Sequence, residues 1–527
     1  MIADLVSDSL PESLEADVCV VGSGPVGITL ALALSRRNVR VILLESGGRK
    51  TEPALQDLYH SINIGRNHNG INIGRYRVFG GNSSQWGGQI LPFAPIDFMK
   101  REWVEASGWP ISFDDLKPYY IKALDFEGLG DCLMDDDEVW AAVRMKAPDF
   151  GAGLGSHFSR WCPQRDFALL HGREVDRSDS VRCILHATVT ALSCRDDLIV
   201  AALARSLTGK SLRIHASRFA FCVGGIETAR LLLQPLENQT VPPWTRRSDI
   251  LGRYFQDHPT FECADVTLRQ PAAVHQLMDI IYHRGLRYQP RLYLSAARAK
   301  ELNCLNAGGV LRFKTEISAE VLHQVRVAAR QFLSGSIDLA TMAAGLRSGV
   351  QTAPLIARMA WRYVLQKRAF NPSDGGCRLL AFVEQAPNPS SRLTLSDERD
   401  ALGMFRSKLD WRVQQLEIDT LANFANEVKV AFESKGLADV DIEKQVAARN
   451  PAFIRRCWDN FHDMGCARMA TGPDAGAVDA NLRLFGSKNG YVCSSAVFPS
   501  GSFANPTHTS IALAVRLAEH LRSREAA

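Results

Sequence analysis

No apolar run in the sequence approaches the roughly 18 residues of a membrane-crossing helix, so none is expected. The first residues lack the basic start of a secretory signal and carry Asp4, Asp8, Glu12, Glu15 and Asp17 instead. There is no Cys-x-x-Cys pair among the 12 cysteines. The nearest neighbours, Cys457 with Cys466 and Cys183 with Cys194, suit neither zinc or iron–sulfur ligation nor a disulfide framework. No metal site is expected, and a reducing cytoplasm is the expected compartment; export beside a signal-bearing partner subunit stays open. A large charge excess is also missing. The 61 Lys and Arg against 57 Asp and Glu leave a net +4, too near balance for a dedicated nucleic-acid binder. Repeats and low-complexity tracts are absent as well. What remains is 527 residues with a globular composition, 46% hydrophobic and 22% charged, long enough to bury a large core without staples.

Asp17-Val-Cys-Val-Val21 reads as one short buried strand. Gly22-Ser-Gly24-Pro-Val-Gly27 follows, then a helix-forming stretch, then a second apolar run, Val39 to Leu44, ending in Glu45. This is a GxGxxG turn in the context it requires: strand, glycine turn, helix, strand, acid. Gly22 allows the tight turn, Gly24 the approach of a pyrophosphate, and Gly27 the close packing of helix on strand. The helix N-terminus offers partial positive charge to the phosphates. Glu45, about 20 residues on, is placed to accept hydrogen bonds from a ribose, which favours FAD or NAD over NADP. The motif does not choose between those two.

Three further segments bear on that choice. Arg77-Val-Phe-Gly80-Gly81-Asn82-Ser83-Ser84-Gln85-Trp86-Gly87-Gly88 sets two glycine pairs around small polar residues, as for backbone lying flat on something large. Arg218 to Arg230 holds another strand, glycine turn (Gly224-Gly225) and helix. The third runs from Phe461 to Arg522. Together with Trp109-Pro-Ile-Ser, Leu251 to Pro259, His462-Asp-Met-Gly465, Val497-Phe-Pro499 and Ala504-Asn505-Pro506-Thr507, in this order, the chain resembles the glucose–methanol–choline (GMC) oxidoreductases. The resemblance is loose between about 260 and 455.

The resemblance implies an α/β Rossmann-like FAD-binding domain, residues 1–255 plus 465–527, interleaved with an α+β substrate domain on an antiparallel sheet, residues 256–464. It implies FAD contacts at Gly22, Gly24, Gly27, Glu45, Gly80, Gly81, Asn82, Ser83, Trp86, Gly87, Gly88, Val189, Gly224, Val497, Pro506 and Thr507. It also implies an FAD-dependent oxidation of a CH–OH group, with hydride passing to flavin N5, His462 as the base and Asn505 positioning the hydroxyl. A histidine suits the proton transfer because its ordinary pKa lies near neutrality. Asn505 has a second reading that needs no family: Asn-Pro-Thr before an apolar stretch is an N-cap followed by Pro in the first turn. A helix starting there would aim its positive end at the flavin pyrimidine ring, worth about 1–2 kcal/mol for reduced flavin. His508 reads as a packing residue.

Some relatives link FAD through a histidine in the glycine loop. Here Asn82-Ser-Ser-Gln-Trp86 offers none, so FAD is expected to be non-covalent. A small-molecule alcohol is the expected substrate, with a sugar, glycoside or cyclitol favoured, and oxygen or another acceptor would reoxidise the flavin. The alternatives are an aliphatic, choline-like or sterol alcohol oxidase, and a non-redox flavoprotein of the same fold. Residues 315–370 read as a basic helical insert, with Arg326, Arg330, Arg347, Arg358, Arg362, Lys367 and Arg368 against Asp338 between 321 and 370. That is an amphipathic pair with a solvated face, or a docking surface for an acidic partner or an anionic membrane.

Overall fold

The computed structural model describes residues 1–247, 249–316 and 357–523. Two eight-stranded sheets border one cleft. In the first, the order is Ile2–Asp4, Val181–Leu185, Val41–Leu44, Ser13–Val21, Ser211–Phe221, Leu198–Arg205 and Thr188–Arg195, with Gly490–Val492 added to Ser211–Phe221. The first five and Gly490–Val492 pair in parallel; the last two form an antiparallel extension. Val18, Cys19, Val20 and Val21 are buried, as expected for a parallel strand covered on both faces.

Helix Pro25–Ser35 leaves this sheet through the glycine turn. A Cβ on Gly27 would lie 1.8 Å from the Gly22 carbonyl oxygen, so only glycine permits the helix to sit this close. The helix is buried on every side because the C-terminal helix Pro506–Ser523 packs along it. Helix Phe113–Phe126 covers the other flank of that C-terminal helix. The tail of the chain thus supplies both a strand and a helix to the unit built by its beginning.

The second sheet is antiparallel throughout, in the order Ala438–Ile442, Thr260–Leu268, Cys377–Val383, Ala307–Phe313, Leu286–Leu294, Leu154–Trp161 and Gln89–Ile90, with Ile281–His283 on Leu286–Leu294. The pleat sends alternate residues to opposite faces. Leu292, Leu379 and Ala381 pack on Ile418, Leu421 and Phe424 of helix Gln415–Ser434. Tyr293, Val310 and Phe382 turn the other way and meet the core of the first unit. Gln89–Ile90 and Leu154–Trp161 lie before residue 255, so a boundary at 255 does not follow the sheets. The chain crosses to the antiparallel sheet twice before that point, and strand pairing of this range is not written in local pattern. A small third sheet joins Arg392–Arg399, Phe405–Asp410 and Ile62–Asn63.

Much of the basic insert, residues 317–356, lies outside the described residues. In its described part, two arginines counted for a surface patch turn inward. Arg362 pairs with buried Asp279, and Arg368, also buried, points Nη1 at the Asp279 carbonyl oxygen at 3.4 Å and packs over Trp140. The Asp279 carboxylate takes up the charge of Arg362 and its main chain meets Arg368, which removes both from any docking face. Among the described residues no helix is long and apolar enough to cross a membrane.

Candidate active site

The cleft has a volume of about 740 Å³ and takes residues from both sheets and from the C-terminal tail. On the side of the parallel sheet, no side chain caps helix Pro25–Ser35, and Gly24 has nothing within 4 Å of where a Cβ would stand. The first-turn N–H groups therefore face the cleft beside Glu45, which is buried. Glu45 Oε2 accepts from the Ser23 amide (3.1 Å) and hydroxyl (2.6 Å), and Oε1 from the Gly47 amide (2.8 Å). Burial pushes its carboxyl up, and these bonds pull it back. The glycine loop reaches the same crevice as a short 3₁₀ turn, Gly81–Ser84. Gly81 has φ +56°, and a Cβ there would come within 2.9 Å of Gly24 Cα; the two backbones meet edge to edge.

On the far wall stand two histidines. His462 Nε2 lies 3.1 Å from Asn505 Nδ2, and His462 Nδ1 lies 2.9 Å from His258 Nδ1 and 3.3 Å from Asn460 Nδ2. With the carboxamide oriented this way, Nε2 accepts and the ring proton sits on Nδ1, toward His258. Beneath them Asp257 gathers four donors: the His462, Asn460 and His258 amides and His68 Nε2 at 2.9 Å. Burial alone would raise Asp257; the bond and charge of His68 outweigh it and hold the carboxyl below its usual range. Burial pushes His462 down to about 4, partly offset by Asp257, and His258 down to about 3. Both rings are neutral at physiological pH.

Residues 387–514 match the GMC oxidoreductase family profile, and residues 15–54 match that of an FAD binding domain. The chain carries a GMC oxidoreductase domain toward its C-terminal end. It is an FAD-dependent enzyme that acts on alcohol groups. It is 22% identical to the 2-methyl-1,2-propanediol dehydrogenase of Mycolicibacterium austroafricanum over 97% of this chain and 96% of that one. It is 24% identical to the 6'''-hydroxyparomomycin C oxidase of Streptomyces lividus over 97% and 93%. Among solved structures, pyridoxine 4-oxidase from Mesorbium loti superposes with a TM-score of 0.58 at 17% identity, covering 97% of this chain and 99% of that one, a likeness of fold.

The residues present fit FAD: an uncapped helix start for a pyrophosphate, a buried carboxylate beside it for a ribose, and a glycine-lined crevice leading to the histidines. Gly22, Gly24, Glu45, Gly81, Asn82, Ser83, Trp86, Gly87, Gly88, Val189, Gly224, His462, Asn505, Pro506 and Thr507 line the cleft. Gly27, Gly80 and Val497 do not. Gly27 is spent on helix packing, Gly80 accepts from Ser83 Oγ behind the loop, and the buried Val497 carbonyl holds the Met469 amide. Asn505 is not a side-chain cap, because its Oδ1 is buried without a partner. His508 packs away from the cleft, paired with Glu127 at 2.8 Å and stacked on Tyr120. Asp463 accepts from the Gly225 and Ile226 amides and so caps helix Gly224–Leu233.

Sequence reasoning assigned no role to His258, Asp257, His68 or Arg291. Asp257-His258 stood in a stretch matched to the family, so a signal existed without chemistry attached. Arg291 gave none, since one arginine in a strand looks like any other.

Proposed function

We propose that this enzyme oxidises a CH–OH group of a polyhydroxylated substrate, a sugar, glycoside or cyclitol, with His462 as the base and Asn505 as its partner. The observation that carries this reading is the contact of His462 Nε2 with the Asn505 carboxamide, 3.1 Å apart at the cleft wall. A neutral imidazole whose lone pair faces the cleft takes the hydroxyl proton at Nε2. The carboxamide that occupies Nε2 is then free to donate to the oxygen as its negative charge grows. His258 and the Asp257 shelf keep the ring from turning. FAD, when bound, supplies the acceptor for the two electrons that leave with the carbon's hydrogen.

A polar substrate suits the lining, where Arg291, Gln89, Asn460 and Ser494 interrupt the aromatic groups. The diol and the hydroxyparomomycin in the relatives' names agree with it. FAD is held without a covalent bond, because the glycine loop carries no histidine. Twelve free cysteines agree with a reducing compartment. The test is anaerobic mixing of the holoenzyme with a panel of alcohols and sugars while flavin bleaching is followed. A polyol should bleach it, and His462→Ala should slow bleaching by roughly 10²–10⁴ with FAD retained. A variant reducing at the parent rate refutes the base.

A further inference from the structure

Arg291 projects from the central strand Leu286–Leu294 of the antiparallel sheet onto its cleft face and is 6% exposed. Among the described residues it has no carboxylate partner. Its Nη2 donates to Gln89 Oε1 at 2.5 Å, and Nε is buried without a partner. Gln89 is locked in turn, its Nε2 donating to Ser159 Oγ (2.6 Å) and Gln289 Oε1 (2.9 Å). The guanidinium lies 5.1 Å from the Phe382 ring centroid. Trp161 also lines this wall, and its indole N–H is buried and unpartnered.

Several buried arginines are paired, and two that lack a carboxylate, Arg368 and Arg468, lie outside the cleft. Arg101 meets Glu384, and Arg230 meets Asp400 and Glu227. An isolated buried charge is expensive, and folded chains pair or neutralise it. Burial lowers Arg291 only to about 10, so it keeps its charge at neutral pH. A rigidly held, charged fork with spare donors, facing the substrate side of a cleft, is built to receive an anion from outside the chain.

We propose that the alcohol oxidised here carries an oxyanion, a carboxylate or a phosphate, which Arg291 binds. This rests on the reading of the cleft given above and narrows its substrate class to acidic polyols. Anchoring the anion on the antiparallel sheet leaves the hydroxyl end to His462.

The test titrates the holoenzyme with D-glucuronate, D-gluconate and D-glucose 6-phosphate against D-glucose and D-glucitol, read by flavin absorption and by calorimetry. At least one anion should bind tenfold or more tighter than its neutral counterpart. The ratio should collapse toward one in Arg291→Met and be partly kept in Arg291→Lys. The first two compounds against the third separate carboxylate from phosphate. Because the lone charge burdens the fold, Arg291→Met should melt no lower than the parent, whereas a merely structural arginine would lower the melting temperature. The proposal is overturned if no anion is preferred, or if the preference survives in Arg291→Met. It is also overturned if the variant shifts the flavin potential and leaves the ratio intact, since the charge would then serve the cofactor. Absence of any anion preference in the parent enzyme, beside intact dependence on His462, sinks this inference alone; bleaching at the parent rate in His462→Ala sinks the reading beneath it.

Discussion

The parallel and antiparallel sheets border the same cleft and meet it with different chemistry. The parallel side offers main-chain N–H groups at a helix start and one carboxylate whose bonds are largely made within the chain, through Ser23 and Gly47. The antiparallel side and the tail offer side chains with bonds still open: Arg291 Nε, Trp161 Nε1, His258 Nε2 and Asn505 Oδ1. Backbone recognition suits a cofactor shared by many enzymes, because it asks only for glycine and a turn. Open side-chain valences suit one particular substrate, and they change with every substitution.

That contrast can be broken at its strongest point first. His462→Ala touches only the side-chain wall, so flavin reduction should slow by roughly 10²–10⁴ while the visible flavin band stays. Loss of the band would mean that the tail also holds the cofactor. Next is the buried Arg101–Glu384 pair, where Glu384 also accepts from the Asn306 amide at the edge of the antiparallel sheet. Arg101→Leu leaves a carboxylate buried alone and should lower stability by about 3–5 kcal/mol in denaturant titration. The half-exposed Arg36–Glu174 pair gives the contrasting result: Arg36→Ala should change stability by less than about 1 kcal/mol.

Gly27→Ala tests the backbone wall. The added methyl meets the Gly22 carbonyl, so helix Pro25–Ser35 must shift, at about 1–3 kcal/mol, and FAD content should fall with little change in the histidine wall. The last test is a pH effect. His462 and His258 have folded pKa values near 4 and 3 against an ordinary 6.5. The unfolded chain therefore takes up protons that the folded chain refuses. Stability is full above about pH 7 and falls as pH drops from 6.5 toward 4. Melting of the holoenzyme against pH should show this slope, and His258→Gln should flatten it. Acid precipitation should release all of the FAD into the supernatant.

The glycine turn at Gly22 to Gly27, the acid at Glu45 and the strands around them were legible because each constraint is local: a φ angle, a close approach, an apolar run. The chain's tail could be tied to its start only through the resemblance to a known family. The sheet boundary at 255 was not legible, because Gln89–Ile90 is recruited by Leu154–Trp161, about 70 residues on, and that strand by Leu286–Leu294, more than a hundred residues on. Gly80 and Val497 show the same limit at the scale of one residue: a motif tells which loop approaches the cofactor without telling which side of the loop faces it.

By itself, the sequence determined that a dinucleotide would be cradled at the first turn and that a histidine and an asparagine would stand near the end of the chain. Tertiary structure decided that these two meet, that His258 and Asp257 fix the ring from below, and that Arg291 lines the same cleft without an acid. Local geometry is encoded in neighbouring residues, whereas the pairing of charges depends on which distant strands share a face, and that is settled only when the chain has folded.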